Sequence, residues 1–173
     1  FEKNKNKIPY ELAYLEGKQR ELYLHDMKIC QEFAQLNRYT IAQTITNYMG
    51  WELNDYFESV HNYISFDDNI VRKGAISAKK GEQVIIPINM RDGCIIGIGK
   101  GNEDWNNSAP HGAGRVMSRK KAREKLSLEE FKAEMSGIWS STVNLDTIDE
   151  APMAYKSMDD ILAKGPFWGL EQD

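Results

Sequence analysis

Cysteine is nearly missing from this chain. Its 173 residues hold two, Cys30 and Cys94, far apart and without metal-type spacing. That scarcity excludes a disulfide framework and a cysteine-built zinc cluster, and favours a reducing, cytoplasmic setting. Histidine is scarce too, with three residues: His25, His61 and His111. No apolar run approaches the roughly 20 residues of a membrane span, and no signal-peptide pattern opens the chain. Internal repeats and low-complexity linkers are absent as well. The first residue is Phe1 and not methionine, so a piece of a longer polypeptide is expected.

What is present is ordinary in bulk and uneven in detail. A hydrophobic content of 41% and a charged content of 28% fit a globular chain able to bury one core. One domain spanning residues 1–173 is expected, with 1–9 and 164–173 loosely ordered. The net charge of −4 argues against indiscriminate nucleic-acid binding. It conceals a basic stretch made of Arg115, Arg119, Lys120, Lys121, Arg123 and Lys125. Local charge matters more to a polyanion than the average does.

The periodicity predicts an α+β chain: a long N-terminal helical region, a mostly antiparallel sheet and short C-terminal helices. Leu22, Ile29, Phe33, Leu36, Ile41 and Ile45 recur at three- and four-residue steps over 18–49, and Gly50 is a natural stop. Residues 56–66, 70–78, 83–90 and 94–98 are rich in β-branched and aromatic types and predict four strands of one sheet. Asp67-Asp68-Asn69 and Arg91-Asp92-Gly93 supply turns. Residues 99–114 predict a long loop, of the kind that often carries function. A helix is expected over 115–125, another from Ser127 with Glu130 completing a capping box, and a third from Ser157.

The loop ends in Pro110-His111-Gly112-Ala113-Gly114-Arg115, followed by Ser118-Arg119. Proline stiffens the approach to the imidazole. Gly112 and Gly114 permit backbone angles at which successive N–H groups converge on an anion. A helix starting near Arg115 would add its positive end and favour neutral, nucleophilic imidazole. Arg115 and Arg119, four apart on one helix face, could grip one phosphodiester. The same residues also fit a glycine-rich surface turn with an incidental histidine, and local chemistry leaves these readings level. His61, in a strand with Tyr63 and Ser65 on its own face, reads from periodicity as a structural group. His25 is given no role. Gly97-Ile98-Gly99-Lys100-Gly101 lacks the Walker spacing and the Ser/Thr after lysine.

The segment from Ser108 to Arg119 resembles the hallmark of the RtcB-type RNA-splicing ligases. Further matches are Leu12-Ala13-Tyr14-Leu15-Glu16-Gly17, Asn37-Arg38, His61-Asn62-Tyr63, Arg72-Lys73-Gly74-Ala75, Ile86-Pro87, Gly101-Asn102-Glu103 and the run from Asp149 to Lys156. Together they cover roughly residues 8–160 in order. The resemblance implies a GTP- and manganese (Mn2+)-dependent ligase that joins RNA 3′-phosphate or 2′,3′-cyclic phosphate ends to 5′-hydroxyl ends. It implies His111 as the nucleophile that takes GMP, His61 as a manganese ligand, and Asn62 as a nucleotide contact. It also implies a nucleotide site lined by His61, Pro87, Met90 and His111, with Gly112, Ala113 and Gly114. Arg115 and Arg119 match positions that engage phosphate or RNA.

The likeness loosens after Pro87, where Ile88-Asn89-Met90-Arg91 replaces Gly-Ser-Met-Gly. Asn89 and Cys94 then stand at the family's nucleotide-contacting serines. The family's other metal ligands, an aspartate, a cysteine and two histidines, belong to an N-terminal portion without counterpart here. The guanine-contacting C-terminal lysine has no counterpart either. The resemblance therefore implies a fragment inactive by itself, with the missing N-terminal portion or an activating protein as its partner. Two alternatives stand beside it: a non-catalytic nucleotide- or RNA-end-binding module, and one subunit of a split enzyme.

Overall fold

The computed structural model describes residues 13–163 and 170–171. The expectations for residues 1–9, 164–169 and 172–173 fall outside the described residues. The α+β class is as expected: a long helix first, small antiparallel sheets next, short helices last. The chain divides into two compact units, Phe1–Tyr56 and Phe57–Asp173.

The first unit is dominated by α1 (Gly17–Met49), 33 residues long. Gly50 ends it at φ +68°, its N–H turned back to the carbonyls of Asn47 and Thr46. Glycine reaches this left-handed cap at little cost. No residue of α1 is buried, and Leu22, Ile29, Phe33 and Leu36 are all more than half exposed. No described helix is long and apolar enough to cross a membrane.

Among the described residues, the second unit contains three small antiparallel sheets, not one four-stranded sheet. β1 (Asn62–Ser65) pairs with β2 (Ile70–Lys73), and β3 (Ala75–Ser77) pairs with β6 (Ser108–Pro110). β4 (Gln83–Asn89) pairs with β5 (Gly93–Gly99), which also pairs with β7 (Leu170–Glu171). The single strand expected over 70–78 is broken at Gly74, whose φ of +72° turns the chain out of β geometry. One half pairs with β1 and the other crosses to β6. Of the strand expected over 56–66, only 62–65 is regular. The expected loop over 99–114 contains a 3-10 turn (Glu103–Trp105) and β6.

The helix expected from Arg115 starts later, as α2 (Arg119–Lys125), with the Ser118 side chain capping it through Lys121 N–H. Arg115 is extended and forms a bridge with Tyr155. The two arginines therefore do not share a helix face, and no helix terminus sits at the glycine turn. α3 (Leu128–Glu134) carries the predicted Ser127–Glu130 capping box, and α4 (Met158–Leu162) is capped by Ser157 as expected.

Alternation along β3 and β4 sends Ile76, Val84, Ile86 and Ile88 into one core with Ala78, Ala109, Ala113 and Ile161. Phe131, Met135, Ile148 and Ala151 form a second cluster, against which Met90 packs. Gly99 of β5 serves close packing and not a phosphate loop: a Cβ there would lie 2.4 Å from the Lys79 carbonyl oxygen.

Arg72, 3% exposed, joins β2 to the segment before His111. It donates to Ser108 Oγ (2.9 Å), the Tyr63 hydroxyl (3.2 Å) and the Asn106 carbonyl (3.0 Å). Its charge faces Asp68 at 3.6 Å, and Lys79 lies 3.3 Å from the same carboxylate oxygen. The Ser65 hydroxyl, opposed by partial burial and helped by Ile70 N–H and Lys79, lowers Asp68 to a pKa of about 2. A depressed carboxyl stabilises the fold above its unfolded pKa of ~4 and loses that contribution as pH falls toward the folded value. Stability of the chain, followed by urea unfolding, should therefore fall between pH ~4 and pH ~2. Asp68→Asn should remove this part of the acid transition; an unchanged slope would show that Asp68 carries none of it.

Candidate functional site

β6 delivers the chain to His111, and the turn after it docks on β4. Ala113 N–H donates to the Pro87 carbonyl at 3.1 Å, and a Cβ on Gly112 would lie 3.2 Å from the same oxygen. Pro87 thus holds the turn through its backbone, while its ring removes a donor that β4 does not need. The use of Ala113 N–H alters the expected anion nest. Among the described residues no hydrogen bond engages the Gly112 or Gly114 N–H, so these two are the turn's free donors.

Gly74 contacts both histidines. Its N–H donates to the His61 carbonyl at 2.8 Å, and its own carbonyl oxygen lies 2.6 Å from His111 Nδ1. A carbonyl can only accept, so Nδ1 carries the hydrogen and Nε2 keeps its lone pair. The imidazoles of His61 and His111 stack with centroids 4.9 Å apart and planes 19° from parallel. His61 is therefore no satisfied strand residue: it precedes β1, is exposed, and lies against the other histidine.

A cavity of about 730 Å³ opens beside His111, ample for a nucleotide. Of the sequence-predicted residues, His61, Pro87, Asn89, Met90 and Cys94 line it, as do His111, Gly112, Ala113, Gly114, Arg115 and Arg119. Asn62 does not; it is exposed on β1, opposite Lys73. Asn89 is already occupied in the β4–β5 turn. Its Oδ1 accepts Arg91 N–H and Asp92 N–H, each at 2.9 Å, and its amide nitrogen donates to Asp92 Oδ2 at 2.9 Å.

Sequence reasoning left Ser59, Glu150 and Tyr155 unassigned, yet all three line the cavity. Glu150 and Tyr155 lie within the run from Asp149 to Lys156 that carries part of the family resemblance. Ser59 Oγ accepts Ile85 N–H at 3.0 Å and so ties the approach to His61 onto β4.

On the far wall Arg115 donates to the Tyr155 hydroxyl (3.0 Å), the Met117 carbonyl (3.1 Å) and the Asp149 carbonyl. Its guanidinium also sits 4.8 Å from the centre of the Tyr155 ring. Arg119 pairs with Asp149 at 2.7 Å and with Glu150. Those two carboxylates raise the Arg119 pKa further above its ordinary value. Burial resists ionisation of Glu150, but the Tyr155 hydroxyl and Arg119 together hold its carboxyl below the usual range.

The chain matches the profile of the tRNA-splicing ligase RtcB family over residues 2–170. The chain belongs to the RtcB family. It is 35% identical over 172 residues to the RNA-splicing ligase RtcB of Escherichia coli K12, covering 88% of this chain and 42% of that protein. The tRNA-splicing ligase RtcB of Nanoarchaeum equitans is 30% identical over 191 residues, covering 88% and 40%. That of Archaeoglobus fulgidus is 29% identical over 187 residues, covering 87% and 39%. The chain thus spans about two fifths of the length of these RtcB proteins.

The family's nucleotide and its metal fit these residues unequally. The cavity, two free turn amides and nearby arginines suit a nucleotide phosphate. Among the described residues, no group of three His, Cys, Asp or Glu side chains comes together to hold a metal ion. His61 alone does not make a manganese site.

Nitrogen-15 NMR of the imidazoles should find His111 as the Nδ1–H tautomer at neutral pH; an Nε2–H tautomer would contradict the Gly74 contact. Gly74→Ala forces a side chain into a left-handed conformation and should cost about 1–2 kcal/mol of stability in urea unfolding.

Proposed function

We propose that this chain carries the nucleophile half of a GTP-dependent RNA ligase, with His111 as the residue that becomes guanylylated. The observation that supports it most directly is the 2.6 Å contact between His111 Nδ1 and the Gly74 carbonyl. It leaves Nε2 unprotonated and aims the nucleophile away from the backbone that holds it. The cavity beside it offers space for a nucleotide together with cationic and N–H donors.

In this reading His111 Nε2 attacks the α-phosphorus of GTP. The bond to the pyrophosphate oxygen breaks, and pyrophosphate leaves as an N–P bond to GMP forms. An oxygen of the RNA 3′-phosphate then attacks the same phosphorus and returns both N–P electrons to His111. The RNA 5′-hydroxyl next attacks the activated 3′-phosphate, loses its proton and expels GMP. Gly112 and Gly114 N–H and the Arg115–Arg119 wall hold phosphate oxygens. His61, stacked on His111, is offered as one manganese ligand; no step here depends on the ion. The remaining ligands are assigned to the family's portion that this chain does not span. A cytoplasmic site of action follows from the cysteine usage.

Native protein incubated with labelled GTP and manganese should gain an acid-labile, hydroxylamine-sensitive GMP adduct. His111→Ala should abolish it, and an adduct retained in that variant would overturn the assignment. The 173-residue chain alone should form none. The lack of a three-ligand cluster among the described residues also favours a second reading, a binding module without catalysis. That reading requires RNA binding lost in an Arg115→Ala, Arg119→Ala double variant, with no adduct in the native protein.

A further inference from the structure

Asp149 and Glu150 are neighbours in sequence and share Arg119, but their surroundings differ sharply. The Asp149 side chain is 3% exposed, and each of its oxygens holds one arginine: Arg119 at 2.7 Å and Arg123 at 2.6 Å. Both arginines lie on α2, so this carboxylate fastens α2 to the 3-10 turn Leu145–Glu150. Nothing entering the cavity can reach it easily. Glu150 is 36% exposed in its side chain and lines the cavity. Its Oε1 takes Arg119; its Oε2 takes the Tyr155 hydroxyl and faces Arg115 Nη1 at 3.6 Å.

Arg119, Arg115 and Tyr155 therefore converge from three sides on one carboxylate. Such a set of charged and hydroxyl donors is what a tetrahedral oxyanion needs. We propose that Glu150 is an internal occupant of a phosphate subsite, displaced when an anionic ligand binds, while Asp149 is the positioning residue that keeps Arg119 at the cavity wall. This rests on the reading that the cavity receives phosphate groups and adds a regulated vacancy to it. A ligand must out-compete a tethered carboxylate, which rejects weak singly charged anions and admits the multiply charged phosphates of a nucleotide or RNA end. The low pKa direction of Glu150 keeps the occupant charged across the neutral range.

The test is titration of the full chain with inorganic phosphate, without GTP or metal, followed by calorimetry. Glu150→Gln keeps the size and removes the competing charge, and should bind phosphate roughly tenfold more tightly than wild type. Asp149→Asn should bind roughly tenfold more weakly, because Arg119 is no longer held. Equal or weaker binding by a natively folded Glu150→Gln chain would overturn the proposal, since Glu150 would then support the ligand or be irrelevant to it. A measurement on wild type guards against unfolded variants. During the phosphate titration the Glu150 carboxylate carbon resonance should move while that of Asp149 stays; both moving, or neither, overturns the assignment. Loss of the GMP adduct question from this assay keeps the two readings apart. Guanylylation of His111 without these phosphate effects sinks only the present inference, and the phosphate effects without an adduct sink only the ligase reading.

Discussion

The backbone of Gly74 is the joint on which the site depends. Its N–H donates to the His61 carbonyl, and its carbonyl accepts from His111 Nδ1. The two peptide units that flank its Cα thereby tie down the backbone of the first histidine and set the tautomer of the second. The geometry is available because Gly74 adopts φ +72°, where a side chain would be strained. The same bend hands the chain from the β1–β2 pair to the β3–β6 pair. Fold and chemistry therefore share a single constraint: without the bend, β3 would not reach β6, and β6 carries His111.

The opposite wall of the cavity follows a different logic. Arg115 and Arg119 line the cavity, but neither is a bare charge. Arg115 is spread over carbonyls and the Tyr155 hydroxyl, and Arg119 lies between two carboxylates. Fixed partners cost affinity for an incoming anion but remove the entropy of ordering long side chains at the moment of binding. This is a wall built in advance, with cation and anion already in register.

The chain spans about two fifths of its relatives' length, and its two units differ in how much they bury. α1 is 33 residues long and buries none of them. Helices in proteins draw their stability chiefly from packing, yet Leu22, Ile29, Phe33 and Leu36 of α1 all stay more than half exposed. In contrast, the second unit closes its own core around Ile76, Val84, Ile86 and Ile88. The part of the chain that presents His61 and His111 is thus the part with its own packed interior.

Local chemistry alone determined a good deal. Gly50 as the end of α1, the Ser127–Glu130 capping box, the Ser157 cap and the Arg91-Asp92-Gly93 turn depend on nearest neighbours, and each stands as read. The His111 turn was singled out for the same reason: proline and two glycines around an imidazole act over a few residues. Partner choice was not legible. Residues 70–78 look like one strand until Gly74 sends its halves to different partners, which only non-local pairing reveals. Arg115 looks helical until residues 154–156 claim its backbone. His61 read as structural because its stacking partner lies 50 residues away in sequence, at His111. Sequence determined which residues could do chemistry; the tertiary structure decided which of them meet, because contacts across the chain follow from packing and pairing that no local spacing encodes.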